Sequence, residues 1–499
     1  MKLLDCTLRD GGYYTNWDFN KDFVDTYIKH LDKLPVDYIE IGYRSTKQKD
    51  YFGEYFYLPL STVLNIKSKT SKQLSIMING KGCKENDISK LLSDLISIVT
   101  LVRITVDVKH LSHGLNLAKE IKNLGFEVAI NIMRASDLKS GDFIKYFDGV
   151  EEYLDYLYLV DSYGSMHPQE LELSLRSMQN VTTTAIGFHG HNNIELAFAN
   201  SMKAMECGCS IIDLTVLGIG RGAGNLKTEL FLTYLKKQDV LDVDLNIIGR
   251  LVESFYPLKR QYSWGTNLAY ITSGTYSLPQ KDVMEALDLN RYSLTTIVNN
   301  IKSKDEIQVP ELKLETVCES CIIIGGGISV KKHQQAIRDF SNSNKDMLVI
   351  HATSKYIDGF QSIKNTQFSV ISGDELLKFD RIPSNIHSFI LGSNSLFVDA
   401  YRDSSNFYTL NNLSFTEQNQ DSPFAISLQI ALNMDSKKIF LVGFDGYEEL
   451  KNKKELYLMK ENQQIIDTFV KKQELNSLTP TRYSHINKGS IYEKYLSCM

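Results

Sequence analysis

Residues 2–12, Lys2-Leu3-Leu4-Asp5-Cys6-Thr7-Leu8-Arg9-Asp10-Gly11-Gly12, open the chain with a short apolar strand that stops at an adjacent arginine and aspartate. The two glycines behind that pair are expected to let the backbone turn sharply. The strand is the first of a regular series. Candidate strands at 2–5, 38–41, 74–78, 101–106, 127–132, 156–160, 184–188 and 210–215 alternate with amphipathic stretches at 21–34, 86–97, 111–124, 168–178, 194–207 and 228–237. Eight such units in succession predict an α/β fold, a closed parallel (β/α)8 TIM barrel over residues 1–240, in preference to an open doubly wound sheet.

Outward from the barrel the rhythm changes. Residues 241–312 read as a helical appendage and linker, with helical patterns at 247–256 and 281–287 around an aromatic stretch at 262–276 and a polar linker at 302–310. Residues 313–499 resume an α/β pattern, with strands at 321–324, 347–350, 368–371, 388–391 and 439–442, and predict a Rossmann-like domain. Gly325-Gly326-Gly327 after its first strand reads either as a structural turn or as a phosphate cradle. Cys318 and Cys321 form a CxxC without the second pair that a structural zinc site needs, and are expected to be packing residues.

Bulk properties narrow the function. The 499 residues are 43% hydrophobic and 23% charged with a net charge of −5, which offers no electrostatic basis for binding nucleic acid or an anionic membrane. No apolar run approaches the roughly 20 residues of a membrane span. The chain enters its first strand at once, leaving no room for a signal peptide. Seven scattered cysteines suit a reducing compartment, so a cytoplasmic location is expected. Association between copies is expected through the helical appendage.

If the barrel forms, Arg9, Asp10, Glu40, Arg103, Asn131, Asp161, His189 and His191 all fall at C-terminal strand ends or just beyond, where barrel enzymes build their sites. His189 and His191 are two apart and aim into one space. A carboxylate with two imidazoles is a divalent-metal ligand set, and an adjacent guanidinium can steady an anion bound there. Glu40 sits in Tyr38-Ile39-Glu40-Ile41-Gly42, an acid in an apolar strand that needs a cation, and Arg9 is the expected partner. Arg103, Asn131, Asp161 and Ser162 are candidate substrate-binding residues on the same rim.

Thr7–Gly11, Ile39–Gly42, Asp161-Ser162-Tyr163-Gly164, His189-Gly190-His191-Asn192-Asn193 and Gly218-Ile219-Gly220-Arg221-Gly222-Ala223-Gly224-Asn225 occur in the order found in the DRE-TIM metallolyase superfamily. That group holds hydroxymethylglutaryl-CoA lyases, isopropylmalate and homocitrate synthases, and 4-hydroxy-2-oxovalerate aldolases. The resemblance spans about residues 1–290 and looks closest to the aldolases. It implies that Asp10, His189 and His191 hold a divalent metal, that Arg9 steadies an enolate oxygen, and that Glu40 orients Arg9 or a bound water. Asn225 matches a position that ligates metal in the lyases. Mn²⁺, Mg²⁺, Co²⁺ and Zn²⁺ all suit such ligands. Tyr13 stands where bacterial aldolases of this branch carry an acid–base histidine; it either moves the proton or lines the pocket, and Tyr270 and Tyr276 are other candidate shuttles.

The implied reaction makes or breaks a carbon–carbon bond through the enolate of a pyruvate-type 2-oxo acid, with an aldehyde partner expected to be sugar-like or a glycan precursor. The alternatives are a Claisen-type synthase using an acyl-CoA, and a nucleotide-sugar-binding or glycosyl-transfer protein whose barrel is a scaffold. Residues 318–490 are similar to the Rossmann-type fold of bacterial sialyltransferase-like proteins, which implies a nucleotide sugar as a ligand there.

Overall fold

The structure is a computed structural model, and it describes residues 1–134, 149–280, 309–314, 317–373, 375–379, 383–392, 406–410, 412–447 and 453–496, with a few single positions between. The helix expected at 281–287 and the linker expected at 302–310 lie largely outside the described residues. The chain divides into two compact units, Met1–Met284 and Glu285–Met499.

In the first unit eight strands close a barrel: β1 (Lys2–Asp5), β2 (Tyr38–Tyr43), β3 (Gln73–Asn79), β4 (Leu101–Asp107), β5 (Glu127–Met133), β6 (Tyr156–Asp161), β7 (Ala185–Gly190) and β8 (Ile211–Leu214). Every pairing is parallel, and β1 pairs with both β2 and β8 to complete the ring. The two-residue period of the strands explains the sequence pattern. Leu4, Tyr38, Leu101, Ala129, Tyr158 and Ile211 meet in the interior, whereas Leu3, Ile39, Ile76, Ile104, Ile130 and Leu159 face the ring of helices. The helix Lys21–Leu31 supplies Val24, Tyr27, Ile28 and Leu31 at helical spacing, and the Asn20 side chain caps it by accepting from the Asp22 and Phe23 amides at 2.9 and 3.3 Å. Each apolar side chain so buried contributes about 1.5–3 kcal/mol. The barrel floor is polar but satisfied: Lys2 Nζ donates to the hydroxyls of Tyr38 and Tyr156, both at 2.8 Å, and Tyr38 donates to Glu127.

The glycines behind Arg9-Asp10 do not make the expected turn. Thr7–Thr15 is a helix that starts directly from β1, with Gly11 and Gly12 inside it. Gly12 is needed for a different reason: a Cβ there would lie 2.1 Å from Cδ1 of Trp17, whose ring packs against the helix. Further along, the helix Leu245–Tyr262 lies on the outside of the barrel, with the Phe255 ring 4.6 Å from Phe23 and 5.8 Å from Tyr27.

The second unit holds one eight-stranded sheet in the order β13-β12-β11-β10-β9-β14-β15-β16, parallel throughout. Its strands are β9 (Ser320–Ile324), β10 (Met347–His351), β11 (Gln367–Ile371), β12 (Ser388–Leu391), β13 (Phe407–Thr409), β14 (Lys438–Val442), β15 (Leu475–Ser477) and β16 (Asn487–Lys488). The strand order reverses between β9 and β14, as in doubly wound sheets. The three strands beyond the expected five are two or three residues long, too short for any periodicity to mark them. The turn at Gly325–Gly327 receives the Asp445 carboxylate, which accepts from the Ser329 amide at 2.8 Å. Cys321 is buried in β9, and Cys318 Sγ lies 2.8 Å from Ser436 Oγ, both as packing residues. Among the described residues no helix is long and apolar enough to cross a membrane.

Candidate active site

At the C-terminal rim of the barrel a cleft with about 380 Å³ of empty space, its open mouth included, is walled by Arg9, Asp10, Tyr13, Asn131, His189 and His191 together with Tyr43, Met77, Thr105, Met133, Val160 and Arg221. Strand parity decides which expected residues reach it. His189 shares the inward parity of Gly187, and His191 continues it beyond the end of β7. In β6 the inward residue at the rim is Val160, so Asp161 faces away. Its carboxylate instead accepts from the Ser165 and Met166 amides at 3.1 and 3.2 Å, and burial pushes its pKa up to about 6. Ser162 also turns from the cleft, its Oγ accepting from the Arg134 amide at 2.7 Å. Arg103 points inward but one layer below the cleft, fully buried, with its guanidinium 4.2 Å over the Tyr158 ring. Of the four candidate substrate residues, only Asn131 reaches the wall.

Beneath the cleft lies a ladder of buried charges. Arg9 pairs with Asp10 and, through Nε, with Glu40 at 2.7 Å. The other oxygen of Glu40 takes Arg103 at 3.2 Å, and Arg103 in turn reaches Asp213 at 2.6 Å and Asn131 Oδ1 at 3.2 Å. Burial opposes ionisation of Asp10, but Arg9 first, then His189, His191 and Arg221, hold its carboxyl below the usual range. Burial likewise opposes the charge on Asp213, which Arg103 and His189 outweigh, so its pKa is also lowered. Formally the ladder sets two guanidiniums against three carboxylates and keeps one negative charge in surplus.

Both imidazoles are prepared in the same way. His189 Nδ1 lies 2.8 Å from Asp213 Oδ2 and His191 Nδ1 lies 2.7 Å from the Asp161 carbonyl oxygen. Those oxygens accept, so each Nδ1 carries its proton. His189 Nε2 is 3.6 Å from Asp10 Oδ2, and the two rings are 4.9 Å apart. Burial, then the neighbouring His189, pushes His191 down to about 3 and keeps it neutral. Asn225 Nδ2 donates to Asp10 Oδ2 at 2.6 Å, while its Oδ1 is buried without a partner. Two imidazoles, a carboxylate and a surplus negative charge make a donor set that suits a divalent ion. Cys6 also lies close, its Sγ 3.7 Å from Asp10 Oδ2, but burial raises its thiol pKa well above the ordinary value.

Aromatic residues hold this rim in place. Trp17 Nε1 donates to the Arg9 carbonyl at 2.9 Å, and Trp264 Nε1 donates to the Leu217 carbonyl at 3.0 Å. The loop after β8 doubles back so tightly that a Cβ on Gly224, at φ +82°, would lie 2.0 Å from the Gly218 carbonyl oxygen. The hydroxyls of Tyr13 and Tyr43 are 3.1 Å apart, and the Arg221 guanidinium lies 4.7 Å from the Tyr13 ring centroid. Burial, reinforced by Tyr13, raises the Tyr43 pKa well above its ordinary value, so Tyr43 keeps its proton. Tyr270 and Tyr276 are not among the residues walling the cleft.

Asp213, Tyr43 and Arg221 are the contributors that the sequence reading missed. Asp213 carried the same signal as Glu40, an acid inside an apolar strand, Ile211-Ile212-Asp213-Leu214. Arg221 lay within a motif that was read for its glycines and its asparagine.

Comparison with known proteins agrees with this architecture. The family described as HMGL-like matches residues 97–252. The crystal structure of the N-terminal domain of a proposed aldolase from Bacteroides vulgatus is 42% identical, covers 60% of this chain and 100% of its own, and superposes with a TM-score of 0.57. A 4-hydroxy-2-oxovalerate aldolase of Chloroflexus aurantiacus is 28% identical over 47% of this chain and 69% of its own length. An oxaloacetate decarboxylase of Mycobacterium tuberculosis is 27% identical over 56% of this chain and 84% of its own.

Proposed function

We propose, from the premise that the chain belongs to the HMGL-like family of DRE-TIM metal-dependent carbon–carbon lyases, that its barrel makes or breaks the bond next to the carbonyl of a pyruvate-type 2-oxo acid. The observation that carries this reading is that Asp10, His189 and His191 wall one cleft beside Arg9, with His189 Nε2 3.6 Å from Asp10 Oδ2 and Asn225 bonded to that same oxygen. Those four residues would hold the ion, with Mn²⁺ or Mg²⁺ the first choice and Co²⁺ or Zn²⁺ compatible. A bound divalent ion supplies Lewis-acid polarisation of a carbonyl oxygen and a template for chelating a 2-oxo acid.

The protein's own residues do the rest. Arg9 is locked between Asp10 and Glu40, so its positive charge is preorganised toward the oxygen on which negative charge develops. Glu40 is thus a positioning residue for Arg9. Arg103 acts at one further remove, through Glu40 and Asp213, while Asn131 offers an amide at the wall. We assign to the Tyr13 hydroxyl, which lies 3.1 Å from that of Tyr43, the movement of a proton at the departing or incoming carbon fragment. A tyrosine pair in place of an imidazole favours a reaction whose proton transfer is assisted by the nearby cations.

The test is isotope exchange. Protein stripped of metal and reloaded with Mn²⁺ should exchange the methyl protons of pyruvate with deuterium, and Asp10→Asn or His189→Ala should abolish both metal retention and exchange. Exchange that survives either change would refute the site assignment. The similarity to an oxaloacetate decarboxylase favours a second reading, in which the bond broken is that to a departing carboxyl group; release of CO₂ from oxaloacetate without an aldehyde partner distinguishes it. For the partner substrate, an aldehyde of glycan-precursor type remains our reading, with a nucleotide sugar as the ligand of the second unit. Titration with CMP- and UDP-sugars, finding no binding, would refute that reading of the second unit.

A further inference from the structure

Arg221 is the one cleft-lining cation of the described residues whose charged head has no hydrogen-bond or ion-pair partner. Its backbone, by contrast, is fixed: its carbonyl accepts from the Gly224 amide at 3.1 Å, and the carbonyl of the next residue, Gly222, accepts from the Tyr14 hydroxyl at 3.3 Å. The side chain is half-buried, and its guanidinium stacks over Tyr13 with its N–H groups unspent. A guanidinium carries five donors in a planar fork that matches the two oxygens of a carboxylate or phosphate. Leaving such a group partly desolvated and unpaired is unfavourable unless an anion completes it.

The other guanidinium at the wall does not compete for that role. Arg9 is already engaged by Asp10 and Glu40. A substrate carboxylate chelated beside Asp10, His189 and His191 therefore leaves the Arg221 fork, stacked on the Tyr13 ring at the same cleft wall, for a different group. We infer that Arg221 is a specificity-determining residue that receives a second anionic group on the substrate, so that the site takes 2-oxo acids bearing a carboxylate or phosphate at their distal end. This inference rests on the proposed 2-oxo acid function and names its substrate class.

Matched pairs of ligands test it by calorimetry on the full-length, Mn²⁺-loaded chain. The pair 2-oxopentanoate and 2-oxoglutarate differs by a terminal carboxylate, and the pair 2-oxobutyrate and 3-phosphonopyruvate differs by a phosphonate. In the unmodified protein at least one anionic member should bind about tenfold or more tightly than its neutral counterpart, the range of a charge-assisted pair. The pair that shows the preference identifies which oxyanion the subsite takes. In Arg221→Gln that ratio should fall to about one, and Arg221→Lys should restore part of it. Because each ratio is taken within one protein, a general loss of binding in a variant does not mimic the result. Equal binding of neutral and anionic members by the unmodified protein, or a preference that survives Arg221→Gln, would overturn the inference and leave the 2-oxo acid function standing. Failure of every 2-oxo acid to bind would overturn the function itself.

Discussion

Replacing Asp213 by asparagine separates the charge of this residue from its shape. Asp213 Oδ2 accepts from His189 Nδ1 at 2.8 Å and from Arg103 at 2.6 Å, whereas its Oδ1 is without a hydrogen-bond partner. An amide oxygen can therefore stay at the Oδ2 position with the NH₂ group at Oδ1, and the geometry survives. What is lost is the negative charge. Two charge-assisted bonds become ordinary ones, which costs about 1–3 kcal/mol together. Against that, the ladder of Arg9, Arg103, Asp10, Glu40 and Asp213 loses its surplus negative charge and becomes formally balanced. The metal-free protein should then unfold within about 1 kcal/mol of the unmodified chain. Metal binding has no such offset. His189 becomes a poorer donor and the local field less negative, so Mn²⁺ affinity should fall about 10- to 100-fold, or about 1.4–2.8 kcal/mol. Competition against a chromophoric chelator measures the affinity, and urea denaturation of the metal-free protein measures the stability. An affinity within twofold of the unmodified protein would refute the argument. So would a loss of metal-free stability larger than the loss in binding free energy, since Asp213 would then be a structural ion-pair member only.

Gly12→Ala should destabilise the barrel by about 1–3 kcal/mol, because the added methyl meets the buried Trp17 ring at 2.1 Å; a change under about 0.5 kcal/mol in chemical denaturation would contradict this reading. In the second unit His351 is buried against Gln367 at 2.9 Å, and burial pushes its pKa down to about 4. Its neutral form is the folded one, so the unfolded chain binds the extra proton between about pH 6.5 and 4. The stability it confers is thus full above that window and is lost as pH falls through it, by about 3 kcal/mol in all. Hydrogen-exchange protection of β10, corrected for intrinsic rates, should show this decline, and His351→Gln should flatten it; an unchanged slope in the variant would refute the assignment.

The barrel was legible because eight short apolar runs, most of them rich in β-branched or aromatic residues, recur in regular order with amphipathic stretches between most of them. That Asp10, His189 and His191 would meet at the rim was legible too, since the histidines lie two apart at the end of β7 and Asp10 follows directly on β1. The failures come from the same period. Asp161 was placed by its neighbourhood, yet it is out of phase with the inward residues of β6, and its carboxylate serves the following loop. Arg103 was in phase but one layer too deep, a distinction in height along the barrel that a strand pattern does not encode. The glycines after Asp10 were read for freedom, when their use is to admit the face of Trp17. Arg221 escaped because an arginine in a glycine-rich loop has no sequence mark that separates a surface charge from a cleft-lining one.

The chain has just two tryptophans. One indole is bonded to the carbonyl of Arg9 and the other to that of Leu217, so each is a brace on one bank of the cleft. The second unit has none. Tryptophan emission is therefore a built-in optical gauge of the rim, with both of its reporters in the first unit. Anything that shifts the ribbon around Arg9 or the loop after β8 will alter emission before the barrel melts.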